Sequence, residues 1–249
     1  SETQWNGWQA KYKYAPFDAN IKEEEKIDQV IAWVEMPEAS RPKLIMTYWD
    51  GTDSVGHIHG TKHKKIYDQM IRQDQMLSLL FSRLEEINAW DYVTLLLVSD
   101  HGMIDVNQYI SLKSILDTLE IDYILSAGPA VAHVFIDDED HRSQALKLLS
   151  SQDHMAVYDR GNLPKSFHMD HPSRTGDIIV TTEPPYMFNN NPAGGPKGMH
   201  GYDPNLSEMH AIFGAIGFEV RNERIGPIHM TDVAPTIAKL LGIKSVKHM

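Results

Sequence analysis

The spacing of apolar residues predicts two amphipathic helices in the first part of the chain. Between residues 21 and 36, apolar side chains recur at i, i+3, i+4 and i+7, with charged residues between them. Residues 64–88 show the same helical period over a longer stretch. The first stripe consists of Ile27, Val30, Ile31 and Val34, and the second of Ile66, Met70, Ile71, Leu77, Leu80, Leu84 and Ile87. Each helix is expected to bury this face.

Two short runs are apolar at nearly every position and predict buried strands. Residues 43–49 and 92–98 lack the polar alternation of a strand with one face in water. A strand that is apolar on both sides is typical of a parallel sheet covered by helices on both faces. The first run ends in a polar loop at residues 50–57 and the second in residues 99–102. We therefore expect an α/β fold with a mostly parallel central sheet flanked by helices.

The later part of the chain alternates between strand-like and helix-like stretches. Strands are expected at residues 130–136, 177–181 and 211–216, and helices at 111–119, 141–150 and from an N-cap at Thr231 to Gly242. A loop rich in Gly, Pro and Asn covers residues 188–198. Within this part, residues of about 110–175 are expected to form a small α+β insertion.

Composition narrows the chemistry that the chain can perform. There are 34 acidic and 23 basic residues among 249, a formal net charge of −11, so binding to a nucleic-acid duplex is not expected. The absence of cysteine excludes disulfide scaffolds, Cys-ligated zinc, iron–sulfur clusters and thiol nucleophiles. With thirteen histidines present, a metal site would use imidazole and carboxylate ligands, which suit zinc, manganese or iron. No apolar run is long enough for a membrane span, and the first residues do not form a signal-peptide pattern.

Three polar clusters contain the candidate metal ligands. Asp53 and His57 lie four residues apart, so a helical turn would put both on one face, whereas a loop would leave an Asx turn and a solvated histidine. Asp100 and His101 follow the second apolar run, where they would either converge on an ion or cap the next turn. His200 follows the glycine-rich loop, which would either deliver it to a cleft or leave it on the surface.

The three clusters together favour a divided two-metal centre. In open α/β sheets, ligands bind beyond the carboxyl ends of the strands, and two of the clusters follow predicted strands. Two cations about 4 Å apart are a common arrangement for displacement at phosphate esters, because they neutralise charge on the attacking and the leaving oxygen.

Several motifs of the chain resemble the type I phosphodiesterase/nucleotide pyrophosphatase family of the alkaline phosphatase superfamily. Residues 48–60 (YWDGTDSVGHIHG), 98–103 (VSDHGM), 200–203 (HGYD) and 209–218 (MHAIFGAIGF) occur in the order and spacing of that family. Two further segments, 157–164 (VYDRGNLP) and 231–243 (TDVAPTIAKLLGI), support the resemblance. The resemblance extends from about residue 1 to residue 243.

The resemblance implies an alkaline-phosphatase-like fold, two zinc ions and a small-molecule phosphodiester substrate of nucleotide type. Asp53, His57 and His200 would hold one zinc, and Asp100 and His101 would hold half of the other. The family completes the second site with an Asp and a nucleophilic Thr or Ser from its N-terminal segment. That nucleophile takes the phosphoryl group, and metal-activated water then releases it. Family members are commonly secreted, periplasmic or membrane-tethered.

The nucleophile-bearing segment has no counterpart in this sequence. We therefore interpret residues 1–249 as the C-terminal portion of one catalytic domain, inactive alone, with a weakly occupied second site. Thr47, Thr52 and Ser99 lie beside the clusters, but none is on a predicted strand-to-helix elbow. Two alternatives stay open: another hydrolase of the superfamily, acting on lysophospholipid diesters, phosphonates or phosphomonoesters, and a non-catalytic metal-binding or interaction domain.

Overall fold

The computed structural model describes residues 9–13, 18, 20–191 and 194–244. The chain divides into two compact units, called here the first unit (residues 1–52, 68–100 and 212–249) and the second unit (residues 53–67 and 101–211). In the described part of the chain, no helix combines the length and the apolar character that crossing a membrane requires.

The described residues form α-helices and short strands, with several 3₁₀ turns between them. The helices are α1 (Glu23–Val34), α2 (Gly51–His59), α3 (Lys64–Glu86), α4 (Leu112–Leu116), α5 (Glu139–Ser150) and α6 (Val233–Leu240). The strands are β1 (Thr94–Val98), β2 (Ile104–Asp105), β3 (Gln108–Ile110), β4 (Ile124–Ala127), β5 (Val131–Phe135), β6 (Met155–Asp159), β7 (Ile178–Thr182), β8 (Tyr186–Phe188), β9 (Gly198–Met199) and β10 (Phe213–Gly217).

The core of the first unit forms where α1 packs on α3, as the two apolar stripes predict. Ile27 and Ile31 of α1 are buried together with Leu80 and Leu84 of α3. Arg72 adds ion pairs from α3 to Glu23 and Glu24. The predicted stripe of α3 is wrong at Met70 and Ile71, which are more than half exposed.

Strand β1 confirms that the second apolar run forms a strand, although its Leu97 and Val98 are exposed rather than buried. The first run is not a strand. Residues 43–49 have no regular secondary structure, and the side chain of Met46 is 81% exposed. An apolar sequence becomes a strand only when a neighbouring strand satisfies its backbone N–H and C=O groups. No described strand pairs with residues 43–49.

The second unit contains an antiparallel sheet with the strand order β4-β5-β7-β6. Helices α4 and α5 contribute to its core through Leu112, Leu116 and Leu149, which are buried against Val134 and Val180. This core includes much of the segment expected to be an α+β insertion, although its status as an insertion stays a prediction.

The strands of the described sheets are mostly antiparallel, whereas the sequence predicted a mostly parallel sheet. Among the described pairs, only β3 with β8 is parallel; β1 pairs with β10 antiparallel, and so do β2 with β9 and the strands of the larger sheet. Apolar runs indicate burial on both faces, but they do not specify the direction of the neighbouring strand.

The last helix starts slightly later than expected. Residues Met230–Asp232 form a 3₁₀ turn, and the cap at its start comes from His229 and Asp232 rather than from Thr231. Gly242 has a φ of +67° and ends the helical stretch, as its position predicts.

Candidate metal centre

Helix α2 brings Asp53 and His57 together. Residues 50–57 were expected to form a polar loop, but Gly51–His59 is helical. Because residues four positions apart share a helix face, the two side chains converge. The distance between His57 Nε2 and Asp53 Oδ1 is 3.3 Å. The helical interpretation of this pair is therefore correct.

Strand β9 places His200 beside the same carboxylate. Met199 of β9 pairs with Ile104 of β2, and His200 follows immediately. His200 Nε2 lies 3.9 Å from Asp53 Oδ1. The ligand atoms of Asp53, His57 and His200 all lie within 4.8 Å of one another, close enough for one ion to contact all three.

Backbone carbonyl groups orient two of the imidazole rings. His57 Nδ1 is 2.8 Å from the carbonyl oxygen of Gly198, and His101 Nδ1 is 2.8 Å from that of Gly102. A carbonyl oxygen only accepts hydrogen bonds, so both Nδ1 atoms carry the proton in the neutral rings. Each Nε2 atom therefore keeps its lone pair, which is the form that binds a metal ion.

Close backbone packing holds the α2 helix against β9. A Cβ atom on Gly198 would lie 2.6 Å from the carbonyl oxygen of Gly56 and 2.8 Å from Met103 Sδ. The N–H of Lys197 also donates to the carbonyl oxygen of His57 at 2.7 Å. These contacts fix the part of the helix that carries His57 next to the strand that leads to His200.

The donor set fits a divalent cation such as zinc. Asp53 Oδ1 is buried and has no hydrogen-bond partner among the described residues. Four donors in tetrahedral zinc sites, with bonds of 2.0–2.1 Å, lie about 3.3 Å apart. The 3.3 Å and 3.9 Å distances from Asp53 Oδ1 to the two histidine Nε2 atoms exceed this spacing by no more than about 0.6 Å. The three side chains are 26–30% exposed, which leaves one side of the site open.

His101 lies in the same cluster. Its ring stacks on His200 with 3.5 Å between centroids, and its Nε2 is 3.9 Å from Asp53 Oδ1. The structure thus brings four of the five predicted ligands together. Asp100 is the last residue of its segment in the first unit, and its role as a ligand stays a prediction.

Other residues near the clusters have structural contacts. The His59 ring stacks on His63 with 4.9 Å between centroids, and the Thr52 hydroxyl donates to the Gln73 side chain. Ser99 Oγ accepts a hydrogen bond from the N–H of Ile212 at 3.0 Å, as expected for a residue that ends a strand.

Tyr202 forms a buried hydrogen bond that the sequence did not predict. The structure buries this side chain to 7% exposure in a cluster with Met199. Burial raises the pKa of its phenol far above the usual value. Its place beside His200 in the sequence was the available signal, but its hydrogen-bond partner is a backbone carbonyl group that no sequence pattern marks.

Fold and site together define an α/β protein with a cluster of side chains that could hold a metal ion. The chain belongs to the type I phosphodiesterase/nucleotide pyrophosphatase family, whose model matches residues 1–203. The structure of murine ectonucleotide pyrophosphatase/phosphodiesterase 5 superposes with a TM-score of 0.88 at 26% identity, covering 98% of this chain and 65% of that one. This similarity confirms the alkaline-phosphatase-like fold class.

Curated relatives give the same assignment. The human bis(5′-adenosyl)-triphosphatase ENPP4 is 26% identical over 234 residues, which are 92% of this chain and 50% of that protein. Human ectonucleotide pyrophosphatase/phosphodiesterase family member 5 is 27% identical over 239 residues, 94% of this chain and 49% of that protein. The chain thus spans about half the length of the curated relatives it matches.

Proposed function

We propose that the whole protein is a zinc-dependent hydrolase of phosphodiester or pyrophosphate bonds in nucleotide-type substrates. The observation that carries the proposal is the convergence of Asp53, His57 and His200 around a buried carboxylate oxygen that has no hydrogen-bond partner among the described residues. Since the chain spans about half of its curated relatives, the activity is proposed for the whole protein and not for these 249 residues alone.

Each side chain has a distinct role in this proposal. Asp53 supplies negative charge, and His57 and His200 supply neutral nitrogen donors, so the three would hold one zinc ion. His101, together with Asp100, is proposed to contribute to a second zinc ion. Bound zinc ions would supply Lewis-acid stabilisation of charge on phosphoryl oxygens. The nucleophilic Thr or Ser is proposed to come from a part of the protein outside residues 1–249.

Two comparisons support a nucleotide substrate. A structure of an inactive variant of murine ectonucleotide pyrophosphatase/phosphodiesterase 5 contains AMP, and this chain matches it with a TM-score of 0.88. The human relative ENPP4 carries the name bis(5′-adenosyl)-triphosphatase. A nucleoside monophosphate group is therefore the proposed recognised part of the substrate.

The test measures metal content and hydrolysis on the same preparation of the full-length protein. Zinc per chain is counted by elemental analysis after gel filtration. Hydrolysis is followed with the nitrophenyl ester of thymidine 5′-monophosphate as diester and with nitrophenyl phosphate as monoester. We expect two zinc ions and a clear preference for the diester, which a chelator removes and zinc restores.

Matched variants separate the alternatives. His57→Ala should abolish hydrolysis, whereas His141→Ala, which removes an imidazole from α5, should leave it unchanged. If the full-length protein instead prefers a lysophospholipid diester or a phosphonate ester, it belongs with the hydrolases of the superfamily that act on those substrates. If the full-length protein binds two zinc ions and hydrolyses none of these esters, the enzyme proposal is wrong and a non-catalytic metal-binding domain remains.

A further inference from the structure

We infer that the Tyr202 hydroxyl group is a positioning element for the metal centre: it anchors the turn that carries His200. This inference rests on the proposed metal site, because it concerns the placement of one proposed ligand. Tyr202 does not contact the ion in this assignment and acts only through His200.

His200 lies between two buried anchors. Met199 on one side is 6% exposed and is paired in β9 with Ile104 of β2. Tyr202 on the other side is 7% exposed and packs in the same apolar cluster. The intervening Gly201 has a φ of +88°, a left-handed conformation that glycine adopts with little strain.

The anchor at Tyr202 depends on the hydrogen bond of its hydroxyl group. Tyr202 donates its hydroxyl proton to the carbonyl oxygen of Tyr186 at 2.7 Å. Tyr186 begins β8, which pairs with β3, so the acceptor belongs to a backbone that is itself fixed. A carbonyl oxygen can only accept a hydrogen bond, so the phenol hydroxyl of Tyr202 is the donor in this contact.

Because Gly201 separates His200 from Tyr202, the position of His200 depends on how firmly Tyr202 is held. A glycine imposes little resistance to rotation of the backbone, so the position of His200 depends on what holds the residues on either side. His200 Nε2 lies 3.9 Å from Asp53 Oδ1 and has to approach by about 0.6 Å to share a zinc ion with it. Sites of this kind tolerate misplacement of only about 0.5 Å, so a loosened turn would lower the affinity for zinc.

The experiment compares zinc affinity in Tyr202→Phe and Tyr109→Phe. Tyr109 is the matched control, because its hydroxyl also donates to a backbone carbonyl oxygen, that of Pro196 at 3.0 Å, and its ring packs against the same cluster. Zinc affinity is measured by competition with a chromophoric chelator, and the melting temperature of the metal-free protein is measured alongside. Tyr202→Phe should weaken zinc binding about tenfold, which is the smallest loss typical of changes to residues that support a metal ligand. Tyr109→Phe should weaken it less than about threefold.

Gly201→Ala provides a second variant that leaves the Tyr202 hydrogen bond in place. A Cβ atom there would meet no atom within 4 Å, so its effect comes from the left-handed backbone conformation alone. It should weaken zinc binding as Tyr202→Phe does.

The outcomes distinguish this inference from the proposed function. If Tyr202→Phe melts earlier but binds zinc like wild type, or if Tyr109→Phe loses as much affinity, the positioning role is wrong. The same holds if Tyr202→Phe does not fold and Gly201→Ala binds zinc normally. If wild type itself binds no zinc, the proposed metal site fails first.

Discussion

Zinc should stabilise this protein, and His200→Ala should remove most of that stabilisation. The cluster offers one carboxylate and two histidines whose ligand atoms lie within 4.8 Å of one another. After the substitution, only Asp53 and His57 of α2 remain from this set. Two donors leave half of a tetrahedral zinc sphere to water, so binding at this site should become weak.

The size of the effect follows from linkage between binding and folding. At a free zinc concentration 100 times the dissociation constant, binding to the folded state alone adds about 2.7 kcal/mol to the free energy of unfolding. For domains of 150–250 residues, about 1 kcal/mol corresponds to a change of about 2–4 °C in the melting temperature. Wild type should therefore gain about 5–11 °C from zinc at this site.

The assay combines thermal melts over a zinc titration with elemental analysis of the metal-loaded protein. His200→Ala should lose the gain in melting temperature and about one zinc ion per chain. His141→Ala is the control, because it removes a histidine of α5 that is not part of the cluster. An unchanged zinc count and an unchanged thermal gain in His200→Ala would remove His200 from the ligands and refute the geometry proposed above.

Three further predictions concern packing and pH. Gly198→Ala should lower stability by about 1–3 kcal/mol and weaken zinc binding, because the new Cβ would press on the Gly56 carbonyl oxygen; Gly194→Ala, in open space, should do neither. Leu149→Ala should cost about 2–5 kcal/mol in urea unfolding; a cost near zero would place Leu149 outside the core. Burial lowers the pKa of His133, whose Nδ1 accepts the N–H of Gly176 at 3.2 Å. The contribution of His133 to the free energy of unfolding should be complete above pH 6.5 and should fall as the pH drops toward its lower pKa in the folded state. In that range the unfolded chain binds the proton more readily than the folded chain. The Asn side chain of His133→Asn can accept the same hydrogen bond but does not titrate. The free energy of unfolding of this variant should therefore depend less on pH over that range, and an unchanged pH dependence would exclude His133 as its cause.

Periodicity predicted the local elements well. The helices at α1, α3 and α5 and the strands β1, β5, β7 and β10 lie close to the expected ranges. The four-residue spacing of Asp53 and His57 made their convergence possible only if the segment were helical, and the helix itself was not predicted, because residues 50–57 were expected to form a polar loop. These features depend on neighbours within a few positions of the chain.

Features that depend on distant partners could not be predicted in the same way. The apolar run at residues 43–49 has the composition of a strand, yet no described strand pairs with it. Strand direction also depends on the neighbour, and the antiparallel pairing of β1 with β10 has no signal in the sequence of β1 alone. The carbonyl group of Gly198, which orients His57 across 141 positions, is equally invisible because every residue has one.

The placement of Asp53 connects the fold with the proposed chemistry. Within the part of the chain that the structure describes, the buried Oδ1 of Asp53 has no hydrogen-bond partner, which is costly. The three surrounding Nε2 atoms, at 3.3–3.9 Å, offset this cost only partly. The rings of His57 and His101 use their Nδ1 protons on carbonyl groups, so their neutral forms have no proton to offer Asp53. A cation among these atoms would satisfy the carboxylate and the nitrogen lone pairs at once. The arrangement that leaves this carboxylate poorly satisfied without a metal ion therefore favours metal binding. A measurement of zinc affinity consequently tests both the placement of these side chains and their proposed role as ligands.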